Sequence, residues 1–243
     1  GVSNSVSKPG DTQLTKEARW SDGEKTQAEV QIKAYYTAKP QMDFIIVADC
    51  SNSMSGIATD DAMNSNFYNM QSKMMDVAEE ILESSEDMDA RIAFATFGET
   101  DHSRSRFYGK GETEAVRDYI WNDIVNYYSN TNYSVGLADA LELVRENAGR
   151  NMTVIFISDG QPYYDGTTVP EEYYGAAEAG AIRAEGVQVI SVLQQVAESE
   201  LPVSEANMER IADKVFASTD LEGSSQAIND AIDYAQTNYT QTD

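Results

Sequence analysis

Four segments of this chain are almost uninterruptedly apolar: Phe44–Ala48, Ile92–Phe97, Val154–Ile157 and Val187–Val192. Runs of this length, without polar alternation, mark strands buried on both faces. Between the first two, Met63, Phe67, Met70, Met74, Val77 and Ile81 recur every three or four residues, which predicts a long amphipathic helix. Its methionines read as core packing. Further helices are expected over 113–124, 134–147, 171–184, 205–213 and 224–238, with a short strand at Val215–Ala217 and an edge strand at Phe107–Tyr108. Strands alternating with helices predict an α/β domain over 41–238, with a doubly wound, mostly parallel sheet covered on both faces. Before it, Ala28–Tyr36 alternates like a strand, Ser21-Asp22-Gly23 reads as a turn, and Leu14–Trp20 is the expected hairpin partner. Residues 1–40 are thus an N-terminal extension with a mobile start and a β-hairpin or edge strand, and 239–243 a frayed or linker-like tail.

Charge narrows the function. Against 17 basic residues stand 41 acidic ones, for a net charge of −24. Such a surface repels nucleic acid and anionic lipid, and most of its carboxylates read as solvated. The lone cysteine, Cys50, excludes an internal disulfide and a cysteine-built zinc site, and reads as a small buried thiol. No apolar run approaches the roughly 18 residues of a membrane span. The start at Gly1-Val2-Ser3, with no signal peptide in view, is that expected of a mature fragment.

The polar residues that follow the buried strands carry the chemistry. Ligands of doubly wound folds bind beyond the carboxyl ends of the strands. The first run ends in Asp49-Cys50-Ser51-Asn52-Ser53, with oxygens at alternate positions where the chain turns. Val154–Ile157 ends in Ser158-Asp159-Gly160, and Asn130-Thr131-Asn132 precedes a helix. Two carboxylates and three hydroxyls form a hard oxygen set, suited to magnesium, manganese or calcium rather than zinc or copper. Taken singly, each has a plainer reading: Ser51, Ser53 and Thr131 as turn or helix-cap residues, Asp159-Gly160 as a turn.

Their order and setting resemble the metal-ion-dependent adhesion site of von Willebrand factor A domains over residues 41–238. That family carries Asp-x-Ser-x-Ser after the first strand, a threonine in a middle loop and Asp-Gly after the fourth strand. The resemblance implies that Asp49, Ser51, Ser53, Thr131 and Asp159 hold one divalent cation, Mg2+ (or Mn2+/Ca2+), some directly and some through water. An exchangeable position is then left for an acidic group of a protein or glycan partner. Glycine is common in the family where Cys50 and Asn52 stand.

Tyrosines cluster near these loops, and Tyr127, Tyr128, Tyr133, Tyr163 and Tyr164 are expected to rim the site and touch the partner. His102, the only histidine, reads as a surface-loop residue. There is no Gly-x-Ser-x-Gly elbow, Asp49-Cys50-Ser51 fails the Asp-x-Asp pattern of aspartyl-phosphate phosphatases, and no glycine-rich phosphate loop appears, so the chain reads as a non-enzyme. The lead-in, Leu14–Trp20 followed by Ala28–Ile32, resembles Gram-positive surface proteins and pilus-tip adhesins, which implies an extracellular, cell-wall- or pilus-associated adhesion module. Lys16 and Lys33 read as solvated lysines rather than isopeptide partners. Two alternatives stay open: an intracellular subunit docking on an ATPase or chelatase, and a structural pilin module whose metal only stabilises it.

Overall fold

The computed structural model describes residues 12–25, 27–36, 39–55, 65–83 and 88–240. Met63, the first residues of the extension and the last three of the tail lie outside these residues.

The central sheet has six strands. β3 (Gln41–Asp49), β4 (Asp89–Phe97), β6 (Met152–Ser158), β7 (Gln188–Leu193) and β8 (Lys214–Ala217) run parallel, and β5 (His102–Arg104) is an antiparallel edge on β4, in the order β5-β4-β3-β6-β7-β8. β1 (Thr12–Trp20) and β2 (Ala28–Tyr36) pair only with each other, Trp20 opposite Ala28, as the hairpin reading expects. Trp20, Val30 and Ile32 are exposed on this ribbon.

The apolar runs are buried on both faces because two helical layers claim alternate residues. Phe44, Ile46, Phe94, Ile155 and Ile190 pack against α1 (Asn66–Glu83), α2 (Thr113–Asp118) and α6 (Leu221–Thr240). Ile45, Val47, Phe97, Phe156 and Val189 pack against α3 (Tyr133–Glu146), α4 (Ala176–Ala184) and α5 (Leu201–Glu209). The methionine stripe is core: Met70 and Met74 are buried among the first set.

The helix expected over 205–213 begins four residues earlier, as α5, and three further departures from expectation have local reasons. The helix expected over 113–124 is α-helical only to Asp118, then widens into a π-type turn, Tyr119–Asp123. The buried side chain of Gln71 in α1 donates to the Ile120 and Ile124 carbonyls there, at 2.8 and 3.2 Å. The helix expected over 171–184 is broken into a 3-10 turn and α4 by Gly175, at φ 74°. A side chain at 175 would stand 2.6 Å from Leu137 of α3, so no other residue fits this approach without a shift. The edge strand is β5, not Phe107–Tyr108. The Ser105 hydroxyl accepts the Phe94 N–H at 2.9 Å, and only Tyr108 rejoins the sheet, in an isolated bridge to Ile92.

At the amino-terminal edge of the sheet, Asp43 is fully buried and accepts two hydrogen bonds each from Arg91 and Arg150, at 2.6–3.0 Å. Burial alone would raise its pKa. The hydrogen bonds and charges of the two guanidiniums outweigh it and hold the carboxyl below its ordinary value. Asp43→Asn removes the carboxylate both arginines share, leaving Arg150 only the more distant Asp89 at 3.7 Å; since each arginine keeps access to water, it should cost about 3 kcal/mol, the lower end for a broken buried pair. A carboxyl whose folded pKa is depressed contributes stability above its unfolded pKa and loses it as pH falls through the folded value. The wild-type advantage over Asp43→Asn in urea denaturation should therefore shrink on acidification below about pH 4.

Candidate metal centre

β3 and β6 lie side by side in parallel register, Ala48 opposite Ile157, so Asp49 and Ser158-Asp159 emerge at the same edge of the sheet. Successive elements diverge here, with β4 to one side of β3 and β6–β8 to the other, which opens a crevice. The loop before α3 closes it from above. Asn132 caps α3 by accepting the Ser134 N–H, and Thr131 pairs by backbone with Tyr163, at 3.2 and 3.0 Å.

All five expected oxygen donors converge. Asp49 is fully buried; one carboxylate oxygen accepts the Ser51 N–H (2.9 Å) and hydroxyl (2.6 Å), the other the Ser158 hydroxyl (2.7 Å). Thr131 donates to Ser51 Oγ at 2.8 Å, Ser51 and Ser53 hydroxyls lie 3.4 Å apart, and Ser53 donates to Asp159 at 2.9 Å. Burial, and then the nearby charge of Asp159, push Asp49 up to about 7. Asp159 is raised as well, through burial. No basic side chain contributes to either shift.

This donor set fits a hard divalent cation: two carboxylates, three hydroxyls and no compensating lysine or arginine. Among the described residues no three His, Cys, Asp or Glu side chains are grouped as a metal cluster, so the candidate rests on the mixed carboxylate–hydroxyl set.

Above these oxygens lies a cleft of about 750 Å³, walled by the loops after β3, β4 and β6, the loop before α3, and the start of α5. On one wall Asn130 donates to both Glu99 (3.0 Å) and Asp165 (3.1 Å), and Tyr173 donates to Glu99 at 2.9 Å. Of the tyrosines expected to form a rim, Tyr128, Tyr163 and Tyr164 are exposed, and the first two line the cleft. Tyr127 is half-buried, its hydroxyl 2.9 Å from that of Thr96.

Tyr133 corrects the expectation. The first turn of α3 rotates it inward, where it is 0% exposed between Phe97 and Phe156. Its hydroxyl donates to the Gly160 carbonyl at 2.6 Å and lies 3.1 Å from Ser158 Oγ, so it braces the site from beneath. His102 is likewise not a loop residue: it sits in β5 with Nδ1 2.8 Å from Asp139 of α3. Cys50 is fully buried, and burial, then the Asp49 charge, raise its thiol well above the ordinary value. Ser158 and Asn126, which donates to the Ser51 carbonyl at 3.0 Å, support the site without having stood out in the sequence.

The von Willebrand factor type A domain family model matches residues 43–220. No curated protein matches the chain. Solved structures with a similar fold include the pilus adhesin SpaC from Lactobacillus rhamnosus GG, 14% identical over 93% of this chain, at TM-score 0.63. This chain covers 35% of that one, about a third of its length. The vWF domain of the type V pili tip protein Mfa5 from Porphyromonas gingivalis is 13% identical over 85% of this chain and 97% of its own (TM-score 0.64). The D319A mutant of the PilB minor pilin from Streptococcus sanguinis is 12% identical over 98% and 82% (TM-score 0.63).

Proposed function

Since this chain belongs to the von Willebrand factor type A domain family, we propose that it is an extracellular, cation-dependent adhesion module that binds a protein or glycan partner through the cleft above Asp49. The carrying observation is the convergence of Asp49, Ser51, Ser53, Thr131 and Asp159 within one hydrogen-bonded cluster that has no basic neighbour. These residues would hold Mg2+, or Mn2+ or Ca2+. A bound divalent ion supplies the one local positive charge and an open coordination position for an acidic group of the partner. Asp49 and Ser51 fix the base of the site, Tyr133 and Ser158 hold the Asp159–Gly160 turn, and Tyr128, Tyr163 and Tyr164 offer rigid contact area at the mouth. Pilus adhesins and tip proteins among the structures of similar fold support placing the module on a bacterial surface or pilus. The cluster holds hydroxyls and carboxylates for an ion rather than a nucleophile with its base, so the reading is a binding module and not an enzyme.

Calorimetric titration of magnesium into chelator-treated protein tests this. One saturable site is expected, weakened more than about 100-fold by Asp159→Ala, beyond the 10–100-fold typical of losing an outer supporting contact. Weak, unsaturable uptake that is equal in both proteins would leave only diffuse attraction to the acidic surface and end the reading. Unfolding on chelation, with no partner dependent on metal, would instead favour a purely structural ion.

A further inference from the structure

The cleft is asymmetric in a way the cation site does not explain. Its charged lining consists of Glu99, Asp159, Asp165 and Glu200, with no lysine, arginine or histidine among its lining residues. Glu99 and Asp165 are engaged by Asn130 and Tyr173. Glu200, at the start of α5, is exposed and receives one neutral hydrogen bond, from Gln161 at 2.8 Å. One turn along α5, Ser204 also lines the cleft. It is 0% exposed and its hydroxyl has no hydrogen-bond partner, not even the carbonyl one turn back that a helical serine commonly uses. A side chain at Gly160 would come to 4.0 Å from that hydroxyl, so the glycine leaves Ser204 beside the Asp159 turn.

A buried, unpaired hydroxyl facing a cleft is costly unless something completes it. Its surroundings define what can. An anion is repelled by the lining carboxylates, and an apolar group leaves the hydroxyl unpaired. A compact cation with several N–H donors satisfies both Ser204 and Glu200.

We propose that the pocket between Gly160 and the first turn of α5 is a second subsite, which receives the ammonium or guanidinium of a lysine or arginine side chain of the protein partner. It rests on reading the cleft as a ligand site, and it selects a partner segment in which a basic residue lies close to the acidic group directed at the cation position. Glu200 supplies the charge, Ser204 the buried acceptor, and the absent side chain at Gly160 the room.

The test is amide chemical-shift titration of the full chain with N-acetyl-lysinamide, N-acetyl-argininamide and the neutral N-acetyl-norleucinamide and N-acetyl-glutaminamide. Each is run with chelator and with magnesium. Saturable shifts at Gly160, Ala197, Glu200 and Ser204 are expected with at least one cationic probe in both media, and not with the neutral ones. Glu200→Gln and Ser204→Ala should each weaken binding about tenfold or more, as for loss of a hydrogen bond to a charged group. Ser204→Ala breaks no hydrogen bond, and Glu200 is exposed, so both variants should fold. No saturable shift from either cationic probe, equal response to a neutral probe, or binding untouched by both substitutions overturns the subsite. The chelator arm separates the two ideas: lysinamide binding without saturable magnesium uptake removes the cation reading and keeps the subsite, and the reverse does the opposite.

Discussion

Asp49→Asn is expected to abolish saturable magnesium uptake and, in chelator at pH 7, to make the protein more stable than wild type by about 2–4 kcal/mol. Asp49 is fully buried, and burial together with the Asp159 charge lifts it to about 7. An acid whose folded pKa exceeds its unfolded one binds more protons in the folded state between the two values. Stability then falls as pH rises from about 4 to 7 and stays low above that. The amide keeps the shape without the charge. Its oxygen can accept from Ser51 as before. Its NH2 can donate to Ser158 Oγ, which then turns its proton toward the Tyr133 hydroxyl 3.1 Å away. Denaturant unfolding of both proteins in chelator at pH 5 and 7.5 decides the matter: the gap should widen at the higher pH. A wild-type stability flat across that range would show that Asp49 carries no such penalty. The prediction separates function from stability, since one substitution should improve the fold and remove the site.

Gly136→Ala should destabilise the protein by about 3 kcal/mol, the upper part of the range for overpacking a filled core. α3 crosses the sheet so closely that a Cβ at 136 would lie 2.8 Å from Phe97 Cγ and 2.9 Å from Val47 Cγ1. The Phe97 ring cannot swing aside, because it stacks on Phe156 and meets the edge of Tyr133, all fully buried. The helix must lift instead, and with it the loop that carries Thr131. Thermal unfolding should show the loss of stability, and magnesium affinity should drop with it although residue 136 touches no oxygen donor. Gly180→Ala is the control with opposite sign. Nothing stands within 4 Å of its Cβ, and an alanine within α4 should add about 0.5–1 kcal/mol by restricting the unfolded chain. Equal, small effects at both positions would mean that α3 yields to the added methyl.

The convergence of the five candidate oxygen donors was legible because they stand where strong periodic signals stop. Asp49 and Asp159 each follow a continuous apolar run, and parallel strands bring such ends to one edge. What stayed hidden depends on facing direction, which spacing does not encode near an element boundary. Tyr133 sits in a tyrosine-rich loop segment, yet it is the first residue of α3 and turns into the core. Asp43 directly precedes the first apolar run, and nothing in its spacing marks it as buried. Its partners Arg91 and Arg150 are 48 and 107 positions away, and only the fold brings them to it. Ser204 was unreadable for another reason: α5 has little apolar periodicity, so nothing marked its buried side. The break at Gly175 was hidden because it answers to Leu137, on another helix.

The adjacency of β3 and β6 bears on how the module responds to mechanical load. Asp49 and Asp159 stand at the same ends of these neighbouring strands, and the ladder behind them runs from Asp43–Met152 to Ala48–Ile157. A pull outward from the cleft that is resisted at the opposite, amino-terminal edge of the sheet would run along the strand axes. Loaded in shear, the interstrand hydrogen bonds of the central sheet must fail together rather than unzip one at a time. A force applied across the sheet at the β8 edge, where the shortest of the parallel strands is held on one side only, meets its bonds in sequence. The domain should thus be stiffest when loaded along its strands and weakest when peeled from its far edge.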